Sequence, residues 1–193
     1  MKNRTKTTTL LLLFTLFSVT TFGQESTWKK NVINEILTLN LPSKAEQTKA
    51  SFVIAFGGEL NSNFYGFQYY DTIFQPIENE KQFQISLLGF ISAKVSDTTL
   101  KKYNVTVVDT SINSTSGLMA KFTTTDTTKF YKEIYYFVTL ANSRYYWFFA
   151  YSPFSKENDE AIQLFFQSIA FNSEQLREKS FKLTPVHLQK NAN

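Results

Sequence analysis

Two neighbouring segments of the chain, 129–141 and 144–151, carry large apolar side chains at both odd and even positions. In the first segment, one alternate set is Tyr131, Glu133, Tyr135 and Phe137, and the other is Phe130, Lys132, Ile134, Tyr136 and Val138. Because successive side chains of a strand point to opposite faces, both faces of these strands would be largely apolar. Strands of this kind are usually covered on both faces, which favours a central sheet between two layers.

Aromatic residues are unusually frequent, with 20 Phe, 10 Tyr and 2 Trp, and many of them lie in the predicted strands. One interpretation is that they form only the core on the two faces of the sheet. The alternative is that tyrosines, which combine a large apolar surface with a polar tip, line a groove for a ligand. The candidate binding residues under this alternative are Tyr65, Tyr69, Tyr131, Tyr135, Tyr145 and Trp147.

Helical periodicity is clearest over 78–95, where apolar residues recur every four positions from Phe83 to Val95. Gly89 weakens this helix by about 1 kcal/mol relative to alanine. The apolar spacing from Trp28 to Ile36 also predicts a short helix. Another helix is expected after Ser155, where acidic residues in the first turn suit the helix dipole.

The remaining apolar segments alternate or run continuously, as strands do. Strands are predicted at 36–41, 50–56, 63–74, 103–112, 117–124, 129–141 and 144–151. Gly57-Gly58 is expected to join the second and third of these strands, and Asn142-Ser143 to form a tight hairpin turn between the last two. This order of elements predicts an α+β fold with a central, mostly antiparallel sheet covered by helices.

Residues 1–23 have the three parts of a cleavable secretory signal peptide. A basic start precedes the apolar run Leu10–Phe17, and Thr21-Phe22-Gly23 places short residues before the expected cleavage site. The apolar run is shorter than the ~20 residues needed to span a bilayer. The chain is therefore expected to be exported to the periplasm or the extracellular space, as a single domain over 24–172 with a polar C-terminal tail over 173–193.

The charge of the chain bears on its binding partners, and its cysteine content bears on the kinds of site that it can form. Of the 20 Lys and Arg residues, three lie in the signal peptide, so the mature chain has 17 basic and 16 acidic residues. A nearly neutral domain gives no electrostatic case for binding nucleic acid or an anionic membrane. The chain contains no cysteine, which excludes disulfides, thiol nucleophiles and thiolate metal sites. No second long apolar run predicts a membrane span after cleavage.

The sequence carries no signature of a catalytic, metal or cofactor site. His187 is the single histidine and lies in the predicted tail, and a serine nucleophile would need a positioned base. Gly57-Gly58 lacks the spacing of a phosphate-binding loop. A carboxylate pair for glycoside hydrolysis could assemble only in the fold, and the candidate acids are Asp71, Asp97, Asp109, Asp126 and Glu133.

Several segments between residues 35 and 172 resemble the PsbP-like family. They are the early strand ending in Leu41-Pro42, the helix from Phe83 to Val95, the strand 145–149 and the closing segment Leu164–Phe171. The resemblance implies an α/β/α sandwich that serves as an accessory or binding domain without catalytic residues. The histidine-dependent metal binding of photosynthetic members has no counterpart among these residues.

Together these features predict an exported soluble accessory or binding domain without catalytic activity and without a cofactor. Its expected partner is a protein, glycan or small ligand of the cell envelope. Two alternatives stay open at this point. One is a carbohydrate-active or other hydrolase with a carboxylate site in an aromatic groove, and the other is a carrier for a small apolar ligand.

Overall fold

The computed structural model describes residues 27–70, 76–96, 100, 102–153, 159–176 and 181–191. The predicted signal peptide, residues 1–23, lies outside this part of the chain. The described strands are β1 (Trp28–Val32), β2 (Leu37–Pro42), β3 (Glu46–Ala50), β4 (Val53–Leu60), β5 (Asn63–Tyr70), β6 (Asn104–Ile112), β7 (Thr115–Thr123), β8 (Tyr131–Ala141), β9 (Arg144–Pro153), β10 (Ala170–Phe171) and β11 (His187–Lys190). The helices are α1 (Glu80–Val95), α2 (Asp159–Gln167) and a 3₁₀ turn at Ser173–Gln175.

The strands form two antiparallel sheets. Eight of them make the large sheet in the order β11-β6-β7-β8-β9-β5-β4-β3, and the other three make a small sheet in the order β1-β2-β10. The predicted aromatic strands β8 and β9 lie in the middle of the large sheet. Their central position explains why both of their faces are rich in apolar side chains.

Three hairpins of the large sheet turn on the same dipeptide, Asn-Ser. The strands close around two-residue loops at 61–62, 113–114 and 142–143, and all six loop residues have a φ between 46° and 67°. Two consecutive positive φ angles define the type I′ turn, whose twist matches that of the flanking strands. The predicted hairpin at Asn142-Ser143 is confirmed, whereas the predicted turn at Gly57-Gly58 is wrong because both glycines lie inside β4.

Helix α1 covers one face of the large sheet, as its apolar spacing predicts. Phe83, Leu87 and Ile91 are buried in a cluster with side chains of β6, β7, β8 and β9. The helix begins after Asn79, whose side-chain oxygen accepts a hydrogen bond from the Gln82 N–H and satisfies one of the free donors of the first turn. The segment that begins at Phe181 packs against the same face of the sheet. The Phe181 ring centroid lies 5.8 Å from that of Phe83.

The small sheet and α2 cover the other face. Leu37, Leu39 and Leu41 on β2 are buried together with Phe165 of α2, against the inner strands of the large sheet. Trp28 joins this layer, since its ring centroid lies 4.9 Å from that of Tyr65. The second cover is thus part sheet and part helix.

The α/β/α sandwich predicted from the sequence is wrong. Strands make up 53% of the structure and helices 19%, and one of the two covers is built mainly on strands. The physical reason lies at the N-terminal end, where the predicted helix at Trp28–Ile36 is instead β1 followed by a bend. β1 pairs with β2 from Trp28–Pro42 to Val32–Thr38, so pairing between strands overrides a local spacing that also suits a helix.

The polar C-terminal segment contributes to the large sheet. β11 is the edge strand and pairs with β6, and the Val186 N–H donates to the Asp109 carboxylate at 2.8 Å. The Lys182 N–H donates to the Glu80 carboxylate at the start of α1. Within the described residues, neither helix has the length and apolar character needed to cross a membrane.

Candidate functional site

The six predicted binding residues lie on opposite faces of the large sheet. Tyr65 and Tyr135 both pair with Ala150 and, like Tyr69, belong to the cluster beneath the small sheet. The remaining three, Tyr131, Tyr145 and Trp147, belong to the α1 side. The structure therefore does not bring the six side chains together in one groove.

A β-bulge separates Tyr131 from Tyr135. Tyr131 pairs with Pro153 and Glu133 pairs with the next residue, Ser152, so Lys132 is the extra residue of β8. The bulge reverses the alternation at that point and places the Tyr131 ring 5.0 Å from the Tyr151 ring on the α1 side. Strict alternation from Tyr131 to Phe137 was thus a wrong assumption.

Tyr65, Tyr69 and Trp147 are core residues. Their exposed fractions are 0%, 8% and 8%. The Tyr65 hydroxyl accepts a hydrogen bond from the Asn63 amide at 2.9 Å, and burial raises the pKa of Tyr65 above its usual 10.0. The Trp147 ring lies under α1, with the Lys94 ammonium 4.0 Å from its centroid, a cation–π contact that supports the helix.

Tyr145 lines an opening with several aromatic side chains, which we name the α1 cleft. It consists of two adjoining cavities of about 500 and 440 Å³, which share Ile85, Ser86 and Tyr145. Both volumes fall in the range of ligand pockets, ~300–1,000 Å³. The aromatic half of the cleft is lined by Phe52, Tyr70, Ile85, Gly89, Phe90 and Tyr145.

The rings of the aromatic half form two stacked pairs. Phe52 and Tyr70 have centroids 5.8 Å apart with planes 22° apart, and Phe90 and Tyr145 are 5.3 Å apart at 20°. Phe52 is 53% exposed and Ile85 58% exposed, so both large apolar side chains border the cleft without being covered. A ligand with an apolar face would remove this surface from water.

Gly89 lies on the helical wall of the cleft, in the middle of α1. A Cβ atom built on it meets no heavy atom within 4 Å, and its φ is not positive. By contrast, a Cβ on Gly66 would lie 2.5 Å from the Phe56 carbonyl oxygen, and one on Gly117 at the same distance from that of Val138. Gly89 therefore has no packing role that requires glycine, although glycine is unfavourable inside a helix. Gly89 is exposed, and it leaves this part of the cleft wall without a side chain.

The other half of the cleft is polar. The Gln82 side-chain oxygen accepts from the Glu78 N–H at 2.9 Å, and the Tyr145 hydroxyl donates to the Ser86 carbonyl oxygen at 3.4 Å. Glu78 is the one carboxylate that lines the cleft among the described residues. This half supplies groups for hydrogen bonding to a ligand, and it does not supply a pair of carboxylates.

The candidate acids for hydrolysis do not converge in the described part of the structure. Asp109 binds the Val186 N–H on the α1 side, Glu133 lies on the opposite face of the sheet, and Asp126 lies in a loop where it pairs with Lys102 at 3.1 Å. Asp71 and Asp97 lie outside the described residues. His187 is exposed on the edge strand β11, and no group of three His, Asp or Glu side chains occurs among the described residues.

Tyr135 lines a separate opening on the opposite face, which we name the α2 cleft. This cavity of about 470 Å³ lies between α2 and the strands β6, β7 and β8. Its apolar walls are Ile112, Met119, Tyr135, Ile162 and Phe166. It is a second opening of ligand size, and the sheet separates it from the α1 cleft.

A charged cluster lies beside the α2 cleft. Glu133 accepts from the Lys121 ammonium at 2.9 Å and from the Tyr135 hydroxyl at 2.7 Å. Burial, together with the neighbouring carboxylate, raises the pKa of Tyr135 to about 12. Burial alone would raise the pKa of Glu133, but the hydrogen bonds from Lys121 and Tyr135 lower it below 4.5.

Sequence reasoning did not identify Phe52, Ile85 or Gly89 as residues of a site. Phe52 lies in the turn between β3 and β4, and Ile85 lies on the solvent side of α1. The signal that could have found them was an unfavourable glycine in the middle of an otherwise regular helix, together with an apolar residue one turn before it on the same side.

Comparisons with family models, with curated proteins and with solved structures give no match.

Proposed function

We propose that this chain is an exported accessory domain that binds a small molecule or glycan fragment of the cell envelope in the α1 cleft, without catalytic activity. Gly89 carries the proposal, because an unfavourable helix glycine with no packing role lines the aromatic half of the α1 cleft. Export is inferred from the signal-like residues 1–23.

The lining of the cleft supports a ligand with two different sides. Phe52, Tyr70, Phe90 and Tyr145 offer ring faces and edges to an apolar surface. Glu78 and Gln82 at the other end offer hydrogen-bonding groups. A sugar ring or a substituted aromatic ring has both an apolar face and a polar edge, so these are the ligand classes that the cleft fits.

The absence of a chemical step in this proposal rests on the placement of groups within the cleft. General acid–base catalysis requires a positioned acid and base near the reacting atoms, and hydrolysis of a glycoside requires two carboxylates on either side of the bond. Among the described lining residues Glu78 is the one carboxylate, and histidine is not among them. Binding is the activity that this set of side chains supports.

The experiment is a fluorescence titration of the mature chain with N-phenyl-1-naphthylamine, a neutral aromatic dye that brightens in apolar sites. We expect saturable binding by the native chain. Gly89→Leu, which fills the cleft from the helix side, is expected to weaken binding at least tenfold. Gly89→Ala is expected to weaken it less and to stabilise the fold by about 1 kcal/mol, because alanine is the better helix former.

The matched control is Ser92→Leu, which adds the same side chain to an exposed position of α1 that lines neither cavity. It is expected to bind the dye as the native chain does. Thermal unfolding of each variant shows that the fold is retained. Equal affinity in Gly89→Leu and the native chain, or no dye binding by the native chain, would refute the proposed site.

A further inference from the structure

We propose that Thr127, in the loop between β7 and β8, is an acceptor site for an O-linked sugar. This loop contributes no residue to the lining of the α1 cleft, so the inference does not depend on the proposed ligand. It rests on one part of the proposed function, the export of the chain, which would bring Thr127 to a glycosyltransferase of the cell envelope.

Threonine follows aspartate in this chain far more often than random placement predicts. Threonine makes up 23 of the 193 residues, so it is expected after fewer than one of the five aspartates. It follows four of them, Asp71, Asp97, Asp109 and Asp126. Three of these sites, 71–73, 97–99 and 126–128, resemble the short Asp-Thr sites at which some exported proteins carry O-linked sugars. The first two lie outside the described residues, so the structure bears on the third.

A hydrogen-bonded turn fixes the backbone around Thr127. The Lys129 N–H donates to the Asp126 carbonyl oxygen at 3.0 Å, which makes Thr127 the second residue of a four-residue turn. The side chain of Asp126 adds a second bond across the turn, because its Oδ1 accepts from the Thr128 N–H at 3.0 Å. Thr127 is exposed at the corner of this turn.

The two threonines of the turn differ in the state of their hydroxyl groups. The Thr128 hydroxyl donates to Asp126 Oδ1 at 2.6 Å, whereas the Thr127 hydroxyl makes no hydrogen bond to any described residue. Asp126 therefore both holds the turn and occupies the competing hydroxyl group. The acceptor that this geometry presents is Thr127.

The other described Asp-Thr pair has a different environment. Thr110 is half-buried inside β6 and pairs with Gly117 of β7. A transferase has to place the acceptor hydroxyl and its flanking backbone within its own site, which an exposed turn permits and a strand inside the sheet does not. Thr110 is therefore a negative control within the same molecule.

The charge of Asp126 favours a neutral substituent over a phosphate group. Hydrogen bonds from Thr128 and Lys102 lower the pKa of Asp126 to about 2, so its carboxylate is ionised at neutral pH. A phosphate on the next residue would add about two negative charges beside it, whereas a neutral sugar adds none. Phe130 is 69% exposed in the same loop, and the apolar face of a sugar ring is suited to cover an aromatic ring.

The transfer requires a glycosyl phosphate donor, linked to a nucleotide or a lipid, and an external glycosyltransferase. The Thr127 Oγ1 attacks the anomeric carbon of the sugar and forms the new C–O bond. The bond from that carbon to the donor phosphate breaks, and its electron pair leaves on the phosphate oxygen. A base of the transferase takes the hydroxyl proton.

The experiment is mass spectrometry of the chain purified from the cells that make it naturally. Trypsin cleaves after Lys121 and Lys129 and releases the peptide 122–129. We expect this peptide to carry the added mass of one or more sugar residues, and fragmentation that preserves the sugar to place it on Thr127. The peptide 103–121, which contains Thr110, is expected to have its unmodified mass.

Two variants test the acceptor and the turn. Thr127→Val keeps the size of the side chain and removes the hydroxyl group, and it is expected to lose the modification of the peptide 122–129. Asp126→Ala keeps Thr127 but removes the side-chain bonds of the turn, and it is expected to lose most of the modification. Thermal unfolding of each variant shows that the fold is retained.

Two matched controls lie in the same peptide. Thr128→Val removes the hydroxyl group that Asp126 already binds. Thr125→Val removes the hydroxyl group of an exposed threonine that does not follow an aspartate. Both variants are expected to keep the modification at the native level.

An unmodified peptide 122–129 in the native chain would overturn the inference. A sugar on Thr125 or Thr128, modification that persists in Thr127→Val, or a phosphate in place of the sugar would also overturn it. The intact mass shows in addition whether residues 1–23 have been removed. Removal of these residues without modification of Thr127 would refute the acceptor site and leave the proposed export and the α1 cleft intact.

Discussion

Gly89 and Gly117 are chemically identical and lie in opposite environments. A Cβ on Gly117 would come within 2.5 Å of the Val138 carbonyl oxygen and of the Phe137 ring, so close packing of β7 against β8 requires glycine there. A Cβ on Gly89 would point into empty space. The sequence shows that Gly89 disfavours the helix, but only the neighbours of each glycine show which one is replaceable.

The tyrosines also show that the sequence alone does not predict which residues are buried and which line a cleft. Tyr65 is completely buried beneath the small sheet, whereas Tyr145 lines the α1 cleft, although both alternate with apolar neighbours in aromatic strands. Alternation predicts which residues share a face, and the bulge at Lys132 disrupts even that relation for Tyr131. Whether a face is covered depends on distant segments, such as Trp28 against Tyr65.

The Glu133 cluster predicts a dependence of stability on pH. Because the pKa of Glu133 is lower in the folded chain than its ordinary 4.5, the ionised form favours folding. Its contribution is complete above pH 4.5 and is lost as the pH falls through the folded pKa. We expect Glu133→Gln to reduce stability at pH 7 by about 1 kcal/mol and to have little effect well below that range.

Urea unfolding of the native chain and Glu133→Gln between pH 3 and pH 7 measures this difference. Glu46→Gln, on the exposed strand β3, is the matched control and is expected to show a smaller difference across the same range. If the free energies of unfolding of the native chain and Glu133→Gln differed by the same amount at every pH, the carboxylate would not stabilise the fold through its charge.

At the scale of elements, the sequence predicts those strands and helices that have a long periodic pattern and local connections. The strands β6 to β9 and helix α1 have long periodic patterns and local hairpin connections, and the sequence predicts all five. The edge strands β3 and β11 are exposed along their whole length, so they have no buried face and no alternation to detect. β1 is recognisable only from its pairing with β2, a contact that no local pattern contains.

The type I′ turn at Asn61-Ser62 predicts a stabilising substitution. Both residues are exposed, and Ser62 has a φ of 67°, a conformation that costs a residue with a Cβ more than it costs glycine. Ser62→Gly creates the preferred Asn-Gly turn and is expected to stabilise the chain by about 0.5–1 kcal/mol. The thermal unfolding midpoint reports the change.

The paired variant Ser62→Ala keeps the Cβ and removes only the hydroxyl group. It is expected to leave stability unchanged or slightly lower, because the strained φ remains. If alanine and glycine at position 62 stabilised equally, backbone strain would not be the reason, and the stabilisation would have to be assigned to loss of the serine hydroxyl.

At the scale of the whole molecule, the large sheet separates two chemically different surfaces. The α1 face carries a cleft with stacked rings and a polar edge. The α2 face carries a cleft with aliphatic and aromatic walls, beside the Lys121–Glu133 ion pair. The aromatic composition predicts a sheet with two apolar faces, which the structure has. It does not predict two separate openings, because these arise where the covering layers stop.

We expect a small ligand with an apolar ring face to occupy the α1 cleft and no other part of the described surface. A titration of the ¹⁵N-labelled mature chain with N-phenyl-1-naphthylamine, followed by amide chemical shifts, tests it most directly. We predict that the largest shifts fall on Ser86, Gly89, Phe90 and Tyr145, and that they disappear in Gly89→Leu. Shifts concentrated on β6, β7 and α2, or spread evenly over the chain, would contradict the assignment of the site.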